Sequence, residues 1–92
     1  MELATLDRRK SFRIEAVWDD VVRIHVEGGY SRDIERNELE GPWYRLTTRK
    51  RLELAEMTRK WPRHSPYVAA ILAKLDGTNW SVGPVALFYK ED

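Results

Sequence analysis

Two runs of alternating residues near the start of the chain limit its fold more than any other feature. Residues 12–18 and residues 22–26 each place apolar side chains at every second position, and the residues between them are polar except for Val17. This period of two, together with many β-branched and aromatic residues, is typical of half-buried strands. Asp19-Asp20 has the length of a two-residue hairpin turn, so we predict an antiparallel hairpin. Its inward-facing side chains are predicted to be Phe12, Ile14, Ala16, Trp18, Val22, Ile24 and Val26.

The size and composition of the chain fit one small domain. It has 92 residues, of which 42% are hydrophobic, and this suffices for a compact core. The absence of cysteine excludes disulfide bonds, thiol catalysis and zinc sites built on cysteine. No apolar run approaches the roughly 18 residues of a membrane-spanning helix, and residues 1–10 are too charged for a secretory signal. We therefore expect a single domain over residues 1–92, located in the cytoplasm and not bound to a membrane.

The middle of the chain predicts a connection followed by a helix. Residues 30–45 are polar and Gly41-Pro42 interrupts them, which indicates a connection with at most one short element. Thr47 or Thr48 can then cap a helix that runs to about Lys60. The apolar stripe of this helix consists of Leu54, Met57 and Trp61.

The last third of the chain predicts a second helix and two strands. Ser65 with Pro66 after it is a helix start, a hydroxyl cap followed by proline in the first turn. Residues 68–75 repeat apolar side chains at helical spacing; they could also form a strand, but three alanines in and around them favour the helix. Residues 80–82 and 85–90 have the pattern of strands.

These elements predict an α+β fold. We expect a small antiparallel sheet made of the N-terminal hairpin and the C-terminal strands, packed with one or two helices.

Charge is segregated along the chain, although the formal total is only +1. Residues 15–40 hold eight acidic and three basic side chains, a net of −5, whereas residues 45–63 hold seven basic and two acidic ones, a net of +5. Such asymmetry is typical of contact surfaces, where opposite patches orient partners. In the alternative interpretation, the two patches face each other inside the domain or are simply solvated.

The residues that we predict to bind a partner lie in the basic segment, residues 45–63, or are the two aromatic residues just before it. Arg49-Lys50-Arg51 would lie in the first turn of the predicted helix, where cations oppose the helix dipole. Unfavourable local features of this kind, with no visible compensation, are expected at functional sites. Aromatic residues also lie among the cations. The predicted partner-binding residues are Arg45, Arg49, Lys50, Arg51, Arg59, Lys60, Arg63, Trp43 and Tyr44.

No arrangement of residues predicts catalysis. His25 and Glu27 share a strand face, but a metal site needs three or four converging ligands. His64 and Ser65 are adjacent, and adjacent side chains rarely point together, while no acid is indicated to orient the histidine. Ser65 is explained as a helix cap. We therefore expect no enzyme activity, no metal and no cofactor.

Three segments of the chain form a recognisable series: the hairpin over residues 12–26, the loop-like Leu39-Glu40-Gly41-Pro42-Trp43-Tyr44, and Gly77-Thr78-Asn79-Trp80-Ser81-Val82-Gly83. Together they resemble a family of small bacterial domains of unknown function, sometimes encoded in toxin–antitoxin-like gene pairs. In that family a hairpin is followed by a loop with a nearby aromatic residue and by a closing strand. The resemblance covers about a third of the chain, and it implies a small α+β fold and a binding or regulatory role with no catalytic residues.

We therefore predict a small non-enzymatic regulator, similar to an inhibitor or antitoxin, that engages a protein partner through its charge-segregated surfaces. The alternative is a nucleic-acid-binding protein that uses the basic helix around residues 45–63, because accessible cations contact phosphates and aromatic rings stack on bases. A third alternative is a homo-oligomer in which acidic and basic patches pair between copies.

Overall fold

The first half of the chain forms a four-stranded antiparallel sheet in the computed structural model, which describes residues 2–90. The strands follow one another in chain order across the sheet. They are β1 (Glu2–Ala4), β2 (Ser11–Val17), β3 (Val21–Val26) and β4 (Tyr30–Glu35). The short β1 was not predicted, because three residues are too few for an alternating pattern to show.

β2 and β3 form the predicted hairpin. Phe12 pairs with Val26 and Ile14 with Ile24, and the side chains of these pairs turn toward the core. The predictions for Ala16 and Trp18 are wrong. The register shifts between Ile14 and Ala16, so Ala16 pairs with exposed Arg23, and the side chain of Trp18 is 50% exposed. β2 ends one residue earlier, and Trp18 begins the turn by donating its backbone N–H to the carbonyl of Val21.

The polar stretch after the hairpin folds into regular structure, so the predicted connection over residues 30–45 is wrong. β4 pairs with β3 along its whole length, and α1 (Arg36–Arg49) follows directly. A capping box begins this helix, since the backbone N–H of Glu35 donates to the Glu38 carboxylate at 2.8 Å and the Glu35 carboxylate accepts from the N–H of Glu38. Pro42 lies inside α1, where its ring removes one backbone hydrogen bond, and its burial in the core offsets that loss.

The single helix predicted to run from Thr47 or Thr48 to Lys60 is also wrong. Both threonines lie inside α1, and Lys50 ends that helix in the left-handed conformation with a φ of 67°. β5 (Arg51–Glu53) and α2 (Leu54–Lys60) follow. The local sequence pattern favours a helix here, but β5 instead pairs with a strand near the C-terminal end of the chain, and this long-range pairing determines the local structure. The predicted stripe of Leu54, Met57 and Trp61 does face the core.

A three-stranded sheet closes the fold. α3 (Ser65–Leu72) confirms the helix predicted for this region, and β6 (Thr78–Ser81) and β7 (Ala86–Tyr89) confirm the two C-terminal strands. β7 lies between β5 and β6 and pairs antiparallel with both. Ser65 is the first residue of α3 and makes no cap hydrogen bond; its hydroxyl lies 3.0 Å from that of Thr58 in α2.

The architecture is α+β, as predicted, but the parts are distributed differently. Within residues 2–90 the hairpin and the C-terminal strands belong to two separate antiparallel sheets, and three helices pack with them. Both sheets and all three helices contribute to the core. Its members with almost no exposed surface include Ile24, Ile34, Leu46, Leu52, Met57, Val68, Leu72 and Leu87.

Candidate binding groove

The structure brings four of the predicted partner-binding residues together in one groove between α1 and α2. Arg45 and Arg49 lie one turn apart on α1, and Arg59 and Lys60 lie in the last turn of α2. With Glu56 they line a groove of about 470 Å³. We call these five residues the basic groove; four cations and one carboxylate give it a net charge of +3.

Helical spacing explains why these side chains converge. Gly41, Arg45 and Arg49 recur every four residues, so they form one line along α1. Glu56 shares a face of α2 with residues 59 and 60 for the same reason. The two lines face each other because the core sides of both helices are pinned by buried residues, Leu46 and Met57.

Gly41 makes room on α1 for the side chain of Trp61. The indole of Trp61, at the end of α2, packs directly against the backbone of this glycine. A Cβ atom at position 41 would lie 2.8 Å from Nε1 and 2.9 Å from both Cε2 and Cζ2 of Trp61. The Gly-Pro dipeptide that suggested an interruption in the sequence is therefore a packing feature within a helix.

Glu56 organises the cations of α1. Its Oε2 accepts hydrogen bonds from Nη1 of Arg45 at 2.5 Å and from Nη1 of Arg49 at 3.5 Å. The guanidinium carbon of Arg45 also lies 5.7 Å from the centre of the Trp61 ring, within cation–π range. Sequence reasoning missed Glu56 as a site residue, although it is one of only two acidic residues in the basic segment.

The cations of α2 differ from those of α1. Within residues 2–90, neither Arg59 nor Lys60 has an ion-pair partner, and both side chains are exposed. They add positive charge at the C-terminal end of α2, where the helix dipole stabilises cations. The groove therefore has one side occupied by an internal carboxylate and one side open to an external anion.

Lys50 and Arg51, which the sequence grouped with Arg49, lie outside the groove. Arg51 is on β5, with its guanidinium carbon 5.6 Å from the ring centre of Phe88 and an ion pair to Glu53 at 2.8 Å. The Lys50 ammonium lies 5.1 Å from the ring centre of Tyr89. Arg49 itself is in the last turn of α1, where the dipole favours it, so the predicted conflict with the dipole does not exist.

The two predicted aromatic residues have different environments. Trp43 packs edge-on against Tyr89, with ring centres 5.4 Å apart, and belongs to the margin of the core. Tyr44 is 72% exposed and immediately precedes Arg45 on α1. Arg63 lies in the exposed loop between α2 and α3, away from the residues that line the groove.

The acidic segment makes its own contacts. Arg23 forms an ion pair with Asp33 across β3 and β4 at 2.7 Å, and Arg36 pairs with Glu40 on α1. The hydrogen bond from the Arg23 guanidinium, reinforced by its charge, holds the pKa of Asp33 below the ordinary aspartate value. The ion pairs of the groove cations go to Glu56 of their own segment instead, so the basic groove is not neutralised by the acidic segment.

Each of the two histidines lies near one carboxylate. Nδ1 of buried His64 lies 2.8 Å from Oε1 of Glu38, an acid that the sequence did not indicate because it comes 26 residues earlier. The hydroxyl of Ser65 bonds to Thr58 in this arrangement. Nδ1 of His25 lies 4.0 Å from Oε2 of Glu15 on the exposed sheet face. Residues 2–90 hold no group of three or more His, Cys, Asp or Glu side chains placed to bind a metal ion.

Comparisons with protein families, characterised proteins and solved structures found no match to this chain. Over the part of the chain that the structure describes, none of the helices has the length and apolar character needed to cross a membrane.

Proposed function

We propose that this chain is a small non-enzymatic regulator, of the inhibitor or antitoxin kind, and that its basic groove binds an acidic segment of a protein partner in the cytoplasm. The main observation behind this proposal is the open α2 side of the groove. Arg59 and Lys60 have no ion-pair partner within residues 2–90, and they face Arg45 and Arg49 across a groove with one carboxylate.

The surroundings of the groove support a protein partner. Arginine and tyrosine are enriched among the residues that dominate interface energies. The groove has two exposed or half-exposed arginines on α1, and exposed Tyr44 precedes Arg45 on the same helix, outside the groove lining. Opposite charges also steer encounters between partners and fix their orientation. An acidic peptide segment supplies carboxylates that match the guanidinium groups of Arg45 and Arg49.

Nucleic-acid binding is less well supported. Base stacking needs exposed rings, and Trp43 and Trp61 both pack against the core, which leaves Tyr44 as the exposed ring of this segment within residues 2–90. A phosphate backbone also needs a track of cations, whereas Lys50 and Arg51 lie over the rings of Tyr89 and Phe88 on β7, outside the groove. The resemblance to small bacterial domains supports a regulatory role, although residues 39–44, which match that family's loop, lie within α1.

The proposal is tested by fluorescence anisotropy with a labelled octaglutamate peptide. We expect the wild-type protein to bind it at low salt. The double variant Arg59→Ala/Lys60→Ala should bind about 2- to 30-fold more weakly, because two exposed charge pairs contribute about 0.2–1 kcal/mol each. The matched control is Arg13→Ala/Lys74→Ala, which removes one arginine and one lysine elsewhere on the surface. It should stay within twofold of the wild type.

Three outcomes contradict the proposal. Equal losses in both double variants would mean that only net charge matters. Tight binding of a labelled 20-nucleotide DNA, with log K falling by about 0.7–0.9 per contact against log salt and no peptide binding, would replace the protein partner by nucleic acid. A dimer that dissociates at high salt, seen by light scattering, and that excludes the peptide would assign the groove to a second copy of the chain.

A further inference from the structure

Glu56 shows where and how the basic groove holds a carboxylate. A single oxygen of Glu56, Oε2, accepts hydrogen bonds from Nη1 of Arg45 and from Nη1 of Arg49. A carboxylate from a partner would make the same contact. The contact is intramolecular, so it forms at an effective concentration that a free ligand must exceed. Glu56 is therefore a competitor for the same two guanidinium groups.

The two contacts of Glu56 differ in strength. The side chain of Arg45 is 21% exposed and is also held by the ring of Trp61, whereas the side chain of Arg49 is 60% exposed and reaches Glu56 only at 3.5 Å. Exposed and long ion pairs contribute little. The ion pair between Arg49 and Glu56 is therefore weaker than the one between Arg45 and Glu56, and an incoming carboxylate can replace Glu56 at Arg49 more easily than at Arg45.

We infer that Glu56 is a specificity-determining residue that competes with the partner's carboxylates for the basic groove. This inference rests on the proposed function. A ligand with two neighbouring carboxylates can reach Arg59 or Lys60 with one of them and replace Glu56 at Arg49 with the other. The negative charge of Glu56 repels every anion in the groove, so it weakens the binding of ligands that offer only one carboxylate.

The test compares Glu56→Gln with Glu53→Gln in the octaglutamate anisotropy assay. Both variants remove one negative charge from the same segment, but Glu53 pairs with Arg51 outside the groove. We expect Glu56→Gln to bind the peptide 3- to 10-fold more tightly than the wild type and Glu53→Gln to stay within twofold. Glu56→Gln should also bind N-acetyl-glutamate amide, a ligand with one carboxylate, more tightly than the wild type does.

A second measurement does not depend on the folding of any variant. In carbon-detected NMR of the wild-type protein, the side-chain carboxyl signal of Glu56 should move as octaglutamate saturates the groove, because Arg49 is taken away. An unmoved Glu56 signal at saturation, or unchanged or weaker binding by folded Glu56→Gln, overturns the inference while the proposed function stands. No binding by wild type, Glu53→Gln or Glu56→Gln overturns both.

Discussion

The contact between Gly41 and Trp61 makes a sharp prediction about stability. Replacing Gly41 by alanine inside a helix ordinarily stabilises a protein by about 1 kcal/mol. Here the new Cβ would meet three indole atoms of Trp61 at 2.8–2.9 Å, and overpacking of this kind costs about 1–3 kcal/mol. The clash exceeds the gain in helix propensity, so we expect Gly41→Ala to lower the free energy of unfolding by about 1 kcal/mol.

Removing the indole should reverse the sign of this effect. Leucine at position 61 lacks the Nε1, Cε2 and Cζ2 atoms that cause the clash but keeps an apolar side chain at the helix interface. In the Trp61→Leu background, Gly41→Ala should therefore raise the free energy of unfolding by about 1 kcal/mol. The two backgrounds differ by about 2 kcal/mol, which is the coupling between positions 41 and 61.

Urea unfolding followed by circular dichroism measures this coupling. With a slope of about 1 kcal/mol per molar urea for a small domain, the midpoint should fall by about 1 M for Gly41→Ala in the wild type and rise by about 1 M in the Trp61→Leu background. An effect of the same sign and size in both backgrounds would refute the packing argument and leave Gly41 as an ordinary helix residue.

Three further predictions concern the rest of the fold. Glu38→Ala removes the hydrogen bonds to His64 and to the backbone of residue 35, so the free energy of unfolding should fall by about 2–3 kcal/mol in urea unfolding; a loss under 0.5 kcal/mol would contradict the role of this buried pair. Leu46→Ala creates a cavity at a fully buried position, so the free energy of unfolding should fall by about 2–5 kcal/mol in the same assay. A loss near zero would show that Leu46 is not buried and would contradict the position of α1. Because Arg23 lowers the pKa of Asp33, the ionised carboxylate stabilises the fold above the ordinary pKa of about 4, and this contribution is lost as pH falls through the lowered value. NMR titration should give a depressed pKa for Asp33 that Arg23→Ala returns to normal, and an ordinary pKa in the wild type would show that the ion pair is absent in solution.

Local patterns predicted the parts of the fold that local forces determine. The alternation of residues 12–18 and 22–26 identified the hairpin, because one buried face is enough to specify a strand register. Helical spacing after Ser65 identified α3 in the same way. The apolar stripe around Met57 was also correct, although the helix that carries it is shorter than expected.

The errors lie where distant parts of the chain decide local structure. β5 exists because β7, more than 30 residues later, pairs with it, and no local signal marks such a partner. Pro42 appeared to interrupt a helix, yet burial of its ring and packing of Trp61 on Gly41 keep α1 continuous. This continuity moves Arg49 from the beginning of one helix to the end of another.

The same long-range contacts determine which of the predicted residues lie together in the candidate site. The sequence predicted nine residues between positions 43 and 63, but only the fold could show that Arg45 and Arg49 face Arg59 and Lys60 while the others lie outside the groove. Glu56 could not be singled out from the sequence, because its importance comes from its position between two helices.

The most direct test of the account is a two-dimensional NMR titration of the ¹⁵N-labelled wild-type protein with octaglutamate. We predict that the backbone amide signals of residues 45, 49, 56, 59 and 60 move together with one dissociation constant, while those of Glu15 and His25 on the outer face of the four-stranded sheet stay in place. Octalysine, added as the control, should leave the groove signals unmoved. Shifts confined to other surfaces, or no shifts at millimolar peptide, would contradict the claim that the basic groove is a binding site for acidic protein segments.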